Sequence, residues 1–297
     1  MKTLTKVLPT LLLMFLGTPA EAALRVVSTI PDLGAIAAEV GGDLVQVQSL
    51  VKPTQDPHFV DPKPSFVLDL NRADLLLVVG MELETGWLAP LVNSARNASI
   101  QLGGNGYLDC SKLIVPKEVE QPDRAKGDIH PGGNPHYWFD PRNGLLLADG
   151  MAARLARLDP ANAASYQARC ADFKARLQAR MVVWKEALAP LQGRQVVVYH
   201  RSFVYLMDFL GFTEVGALEP KPGIPPGPSH VAQLVERAKL QKVDLMIQEG
   251  FYPVELSRIF AQQSGARLVL VPTMVGAQGT KTYIELVDRI VDLLKQP

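Results

Sequence analysis

Five histidines are spread over the 297 residues, and three of them share a local setting. His58 stands in "QDPHFVDP", His136 in "GNPHYWFDP" and His200 in "VVVYHRSF". Each falls at or just past the end of a strand-like or loop segment. Neutral imidazole suits zinc, copper and nickel, whereas calcium, magnesium and manganese prefer oxygen. Three imidazoles and one carboxylate make a tetrahedral zinc set. Glu249, which closes the apolar run "VDLMIQE", is the carboxylate in a matching place. The spacing carries no short-range motif of the HExxH kind. The repeated Pro-His-aromatic pattern is more informative, because proline fixes the backbone and a flanking ring can wall the imidazole. Taken singly, each histidine also fits a packed or surface role, and Glu249 fits a hydrogen bond to its loop. His130 in a Gly/Pro stretch and His230 at a helix start fit the plainer reading better than the ligand one.

The elements that must position these residues alternate. "LRVVST" (24–29), "LVQVQSLV" (44–51) and "DLLLVVG" (74–80) read as strands, and "DLGAIAAEVGG" (32–42) and "PSFVLDLNRA" (64–73) as helices, the first with Asp32 as N-cap. Such a βαβ series implies a parallel sheet. From Pro160 to about Leu191 one long helical stretch breaks the pattern. At 1.5 Å per residue it would reach about 45 Å, longer than one lobe needs, so it reads as a spine between two lobes. Beyond it the alternation resumes: strands at 195–200, 213–219, 243–250 and 266–272, helices at 202–211, 230–241, 253–265 and 281–296, and a rigid proline-rich loop at 220–229. The expected class is α/β, two parallel-sheet lobes joined by one long backbone helix. Residues 23–142 would form the first lobe, 143–193 the linking segment and 194–297 the second lobe. In open parallel sheets the ligand crevice lies beyond the carboxyl ends of the strands. His58 and His136 from the first lobe would therefore meet His200 and Glu249 from the second in the cleft between them.

Residues 1–22 read as a signal peptide, with Lys2 and Lys6, an apolar run too short to span a bilayer and the cleavage-like Ala20-Glu21-Ala22. An exported, soluble, periplasmic protein is the expectation. Lys+Arg and Asp+Glu are both 30, which gives no electrostatic case for nucleic acid. Cys110 and Cys170 could pair in an oxidising compartment, and the sequence leaves that open.

The chain resembles the solute-binding proteins of zinc/manganese ABC importers. The resemblance is carried by "DPHFVDPKPS" (56–65), "GNPHYWFDP" (133–141), "VVVYHRSFVYLMDFLGF" (196–212), "EPKPGIPPGPSH" (219–230), "IQEGFYP" (247–253) and "LVPTMVGAQGTKTYIELVDRI" (269–289). It implies two lobes on a helical spine, metal ligands at His58, His136 and His200, a membrane permease as partner, a monomer and no catalysis. At the third ligand position manganese-type members tend to carry glutamate, so His200 favours zinc over manganese as the transported ion. Many members place an aspartate where this chain has "VPTMVGA", which leaves Glu249, or water, for the fourth position. The segment 116–133, with His130 alone, resembles a reduced form of the family's His/Asp-rich loop. The competing readings are a zinc hydrolase using the same histidines with Glu249 as base, and a binder of a metal chelate.

Overall fold

The computed structural model describes residues 22–119, 130–221 and 223–296. The segment read as a signal peptide, Ala22 excepted, and much of the 116–133 loop lie outside the described residues.

Two four-stranded, all-parallel sheets carry the architecture. The first holds β1 (Leu24–Ser28), β2 (Val45–Ser49), β3 (Leu75–Val78) and β4 (Tyr107–Asp109) in the order β2-β1-β3-β4. The second holds β5 (Gln195–Val198), β6 (Thr213–Ala217), β7 (Leu245–Glu249) and β8 (Arg267–Val271) in the equivalent order β6-β5-β7-β8. The crossovers are α1 (Pro31–Gly41), α2 (Pro64–Asn71) and α3 (Leu88–Ala95) in the first half. Between them, α4 (Pro141–Leu158) and α5 (Ala163–Leu188) form an antiparallel pair. The second half adds α6 (Val204–Leu210), α7 (Pro228–Leu240), α8 (Glu255–Ser264) and the closing α9 (Tyr283–Lys295). The central strands β3 and β7 are buried along their whole length, as expected of parallel strands covered on both faces.

The long helix is shorter than its sequence suggests. α5 has 26 residues, with 3-10 turns at Pro160–Asn162 and Ala189–Leu191. Its buried residues Tyr166, Cys170, Phe173, Leu177, Trp184 and Leu188 form one stripe. Asp288 on α9 accepts from Trp184 Nε1 at 2.6 Å, and Arg176 pairs with Glu39 on α1 at 2.6 Å. The spine thus grips both the first lobe and the C-terminal helix. One apolar cluster runs from Val26 to Leu294 through both halves, and a smaller one fills the outer side of the second sheet.

Two local expectations change, and one open point is decided. α1 is entered by Ile30 with Pro31 in its first turn, so Asp32 is not the cap but lies fully buried inside that turn. α7 starts at Pro228 after Gly227, two residues before the expected start at 230. Cys110 and Cys170 are both free and buried, on a turn after β4 and on α5 respectively.

Candidate metal centre

His58 lies in the loop between β2 and α2, His136 in the segment between β4 and α4, and His200 directly after β5. Three separate chain segments therefore deliver the imidazoles, two from the first half and one from the second. Their ring centroids are 5.2 Å (58–136), 5.3 Å (58–200) and 5.3 Å (136–200) apart, close to an equilateral triangle. One ligand atom from each lies within 4.8 Å of the other two.

The same device orients the first two rings. Asp56 Oδ1 accepts from the backbone N–H of His58 at 3.0 Å and lies 2.8 Å from its Nδ1. Asn134 Oδ1 does both for His136, at 3.0 and 2.9 Å. In each case the acceptor stands two residues upstream across a proline, in an Asx-turn. His200 Nδ1 is held by Glu219 Oε2, whose other oxygen accepts from Gly223 N at 3.1 Å. With all three Nδ1 atoms engaged, Nε2 is the nitrogen left to face the centre. Such outer carboxylate or amide partners fix the tautomer and ring direction of metal-binding histidines.

These anchors also cross between the halves. Asn134 Nδ2 donates to Arg201 O at 2.8 Å, and Tyr205 Oη donates to Asn134 O at 2.8 Å. Tyr252 Oη donates to Asp56 Oδ2 at 3.3 Å, and its ring stacks on Tyr199 at 4.6 Å. Trp138 Nε1 donates to Thr273 O at 3.1 Å. The aromatics after His136 are therefore core and lobe-bridging groups. Tyr137, for instance, is fully buried and donates to Val79 O at 2.7 Å.

The electrostatics favour a neutral His136 ring. His136 is 3 % exposed, and burial, followed by the neighbouring imidazoles, keeps its pKa well below the ordinary histidine value. For Asp56 burial works in the opposite sense, yet the hydrogen bond and charge of His58 hold the carboxyl below its usual range. Glu249 is fully buried at the end of β7, and neither oxygen has a hydrogen-bond partner of good geometry. Burial pushes its pKa up to about 8, with the Ser202 hydroxyl opposing. Its carboxylate is outside the converging set of three.

His130 is close to the cluster, its ring 5.4 Å from that of His58. Burial and then His58 and His200 lower its pKa to about 4. It too stands outside the converging set. His230 is elsewhere on α7, its Nε2 3.0 Å from Ala217 O. A pocket of about 250 Å³ opens beside the site, lined by Asp56, His58, His200, Glu219 and Tyr252 among others. Sequence reasoning missed Asp56, Asn134 and Glu219. The visible signal was the repeated Asp/Asn-Pro-His, which places an acceptor two residues before His58 and His136; no such signal marks Glu219.

The profile of the family described as "Zinc-uptake complex component A periplasmic" (ZnuA) matches residues 26–296. The high-affinity zinc uptake system protein ZnuA of Paracoccus denitrificans is 33 % identical over 240 residues, covering 69 % of each chain. The iron-binding protein YfeA of Yersinia pestis is 26 % identical over 290 residues, covering 94 % of this chain and 88 % of its own. A crystal structure of ZnuA superposes with a TM-score of 0.78 at 27 % identity, over 92 % of this chain and 98 % of that one. With a match along nearly the whole length and the same two-lobed architecture, this chain belongs to the ZnuA family of zinc-uptake binding components.

Proposed function

We propose that this protein is a periplasmic solute-binding protein that takes up zinc in the cleft between its lobes and delivers it to the membrane permease of an ABC importer. The observation that carries the reading is the triangle of imidazoles drawn from both halves, each with Nδ1 already anchored. His58, His136 and His200 supply three nitrogen donors, a set that suits zinc over manganese. Glu249 is the fourth donor in this reading: a cation arriving at the triangle would favour its charged form and draw it in. Residues 23–142 and 194–297 act as the two metal-gripping lobes, and 143–193 as the link that limits their motion. Residues 1–22 act as a cleaved export signal, and the mature protein works as a monomer.

The protein's task in this reading is binding, not catalysis. A hydrolase would need Glu249 free to take a proton from a metal-bound water beside substrate, and Glu249 is fully enclosed. Relatives named for zinc and for iron both match along much of this chain, so in this reading the donor set decides the cargo.

Calorimetric titration with zinc tests the assignment. The wild type should bind one zinc per chain, with affinity falling on acidification as the imidazoles take up protons. His136→Ala should lose tight binding. Unchanged stoichiometry and affinity in that variant would sink the reading.

A further inference from the structure

A second cavity, of about 760 Å³, lies in the first lobe apart from the metal centre. It opens beyond the carboxyl ends of β3 and β4, where Val78 and Asp109 line it, and α3 contributes Leu88, Ala89 and Val92. None of the three converging histidines is on its lining. Cavities of this size take small organic molecules, and in parallel sheets they form past the carboxyl ends of the strands.

The lining combines apolar walls with acid. Met81, Leu102 and Ile114 join the side chains of α3, and Glu82, Glu84 and Asp109 bring three carboxyl groups. Lys112 is the one basic side chain on the lining; it is 80 % exposed, with Nζ 3.9 Å from Asp109 Oδ2. Such a surface pair offsets the acids only weakly. The chain as a whole has equal numbers of acids and bases, so the negative sign is local. Glu84 is fastened inward, accepting from Val79 N at 2.7 Å, Gly80 N at 3.1 Å and Thr29 Oγ1 at 2.6 Å. Asp109 Oδ1 accepts from Ser111 N and Oγ at 3.1 and 2.6 Å, and Glu82 Oε2 accepts from Gly132 N at 3.3 Å. Asp109 Oδ2 and Glu82 Oε1 accept no hydrogen bond among the described residues. Tyr107 also lines the cavity; burial, then Asp109 and Glu84, push its phenol up to about 12, so it stays a neutral hydrogen-bonding group.

The backbone is bent to gather these groups. Gly80, Met81 and Glu82 are successive residues at positive φ, 80°, 49° and 61°. A Cβ on Gly80 would stand 2.2 Å from Asp109 Oδ1 and 2.8 Å from Ser111 Oγ, so glycine is required for the two strand ends to meet. Left-handed Met81 and Glu82 carry strain of the kind that collects at ligand sites.

We propose that this cavity is a second binding site, taking a small organic ammonium ion with an apolar body. The ammonium pairs with the open oxygens of Glu82 and Asp109, and the body packs on Met81, Leu88 and Val92. Ammonium donors match carboxylate acceptors, whereas an anion would meet three acids and one exposed lysine. A bare metal ion does not fit: among the described residues, only the three histidines bring three ligand groups to one point. The inference goes beyond the zinc reading and does not rest on it.

The experiment is amide NMR of the zinc-loaded protein titrated with tryptamine, and in parallel with indoleacetate, a similar body of opposite charge. Tryptamine should shift the amides of Gly80–Glu82 and Tyr107–Lys112 saturably. Indoleacetate should bind at least about tenfold more weakly, and so should tryptamine in the double variant Glu82→Gln, Asp109→Asn, a change of about 1.4 kcal/mol. Ala89→Trp, which fills the cavity from an exposed helix position, should abolish the shifts. Equal affinity for the two probes, tryptamine affinity unchanged in either variant, or shifts that are absent or lie elsewhere would each overturn the proposal. Zinc stoichiometry measured on the same samples reports on the metal reading separately, so failure of one leaves the other standing.

Discussion

Asp56 and Asn134 perform the same task with different chemistry. Each accepts from the backbone N–H and the ring of the histidine two residues on. Asp56 brings charge, and Asn134 brings an amide that also donates across to Arg201 O. Asn134→Ala should therefore do two kinds of damage: free the His136 ring and cut a tie between the halves. Loss of an outer partner of this kind typically costs about 10–100-fold in metal affinity. Chelator competition should show that drop with one zinc still bound per chain, and an affinity equal to wild type would refute the anchoring role. The convergence of His58, His136 and His200 was legible in the sequence, because histidines at the ends of strand-like runs in a βαβ chain meet at one crevice. Their partners were not. An aspartate, an asparagine and a glutamate are ordinary loop residues until the fold shows what they hold. His130 was legible only as a loop residue, since its approach to His58 depends on how the chain folds back over the 71 residues between them and no local pattern encodes that.

At the scale of elements, the runs with clean periodicity matched the structure closely. β3 and β7 read as strands and are so, each buried along its length, and α9 read as a helix and buries Tyr283, Leu286, Val287, Ile290, Val291 and Leu294 on one face. α3, α4 and β4 went unread for separate reasons. β4 has three residues, too few for an alternation to register, and α3 contains Pro90 near its start. α4 contains Gly144 and Gly150, which look like helix stops. A Cβ at Gly144 would lie 2.8 Å from Tyr283 and 3.0 Å from Leu177, and one at Gly150 would lie 2.3 Å from Leu113. These glycines allow close helix packing instead of ending the helix. The tie between α5 and α9 gives the element-scale test. In Asp288→Ala the buried Trp184 Nε1 loses its acceptor, and Arg180 loses its partner. Leaving a buried donor unpaired costs about 1–3 kcal/mol. Thermal unfolding should shift down accordingly while zinc stoichiometry stays at one. An unfolding temperature equal to wild type would mean that the spine does not depend on this contact.

Over the whole molecule, the halves meet around groups that are buried without full compensation, and this links folding, protons and metal. Glu249 has its pKa raised from 4.5 to about 8 by burial, so the folded state holds its proton more tightly than the unfolded chain does. The resulting contribution is complete below pH 4.5 and is lost as pH rises through about 8. A shift of this size corresponds to roughly 5 kcal/mol at most. Asp32, raised by burial, and Glu84, raised by burial to about 7, lean the same way. His136 leans oppositely: its lowered pKa gives stability that is present above pH 6.5 and lost as pH falls below it. The metal-free protein should therefore lose stability as pH rises from about 6.5 to about 8, and Glu249→Gln should flatten that limb by removing its share. A divalent cation at the triangle reverses the sign for Glu249 alone, since it stabilises the charged carboxylate. The stabilisation by zinc should then grow as pH rises toward 8 in the wild type and grow less in Glu249→Gln. Unfolding temperatures across this range, with and without zinc, measure both slopes. Parallel curves for wild type and Glu249→Gln would separate Glu249 from the metal and leave the three imidazoles, with water, as the whole of the coordination sphere.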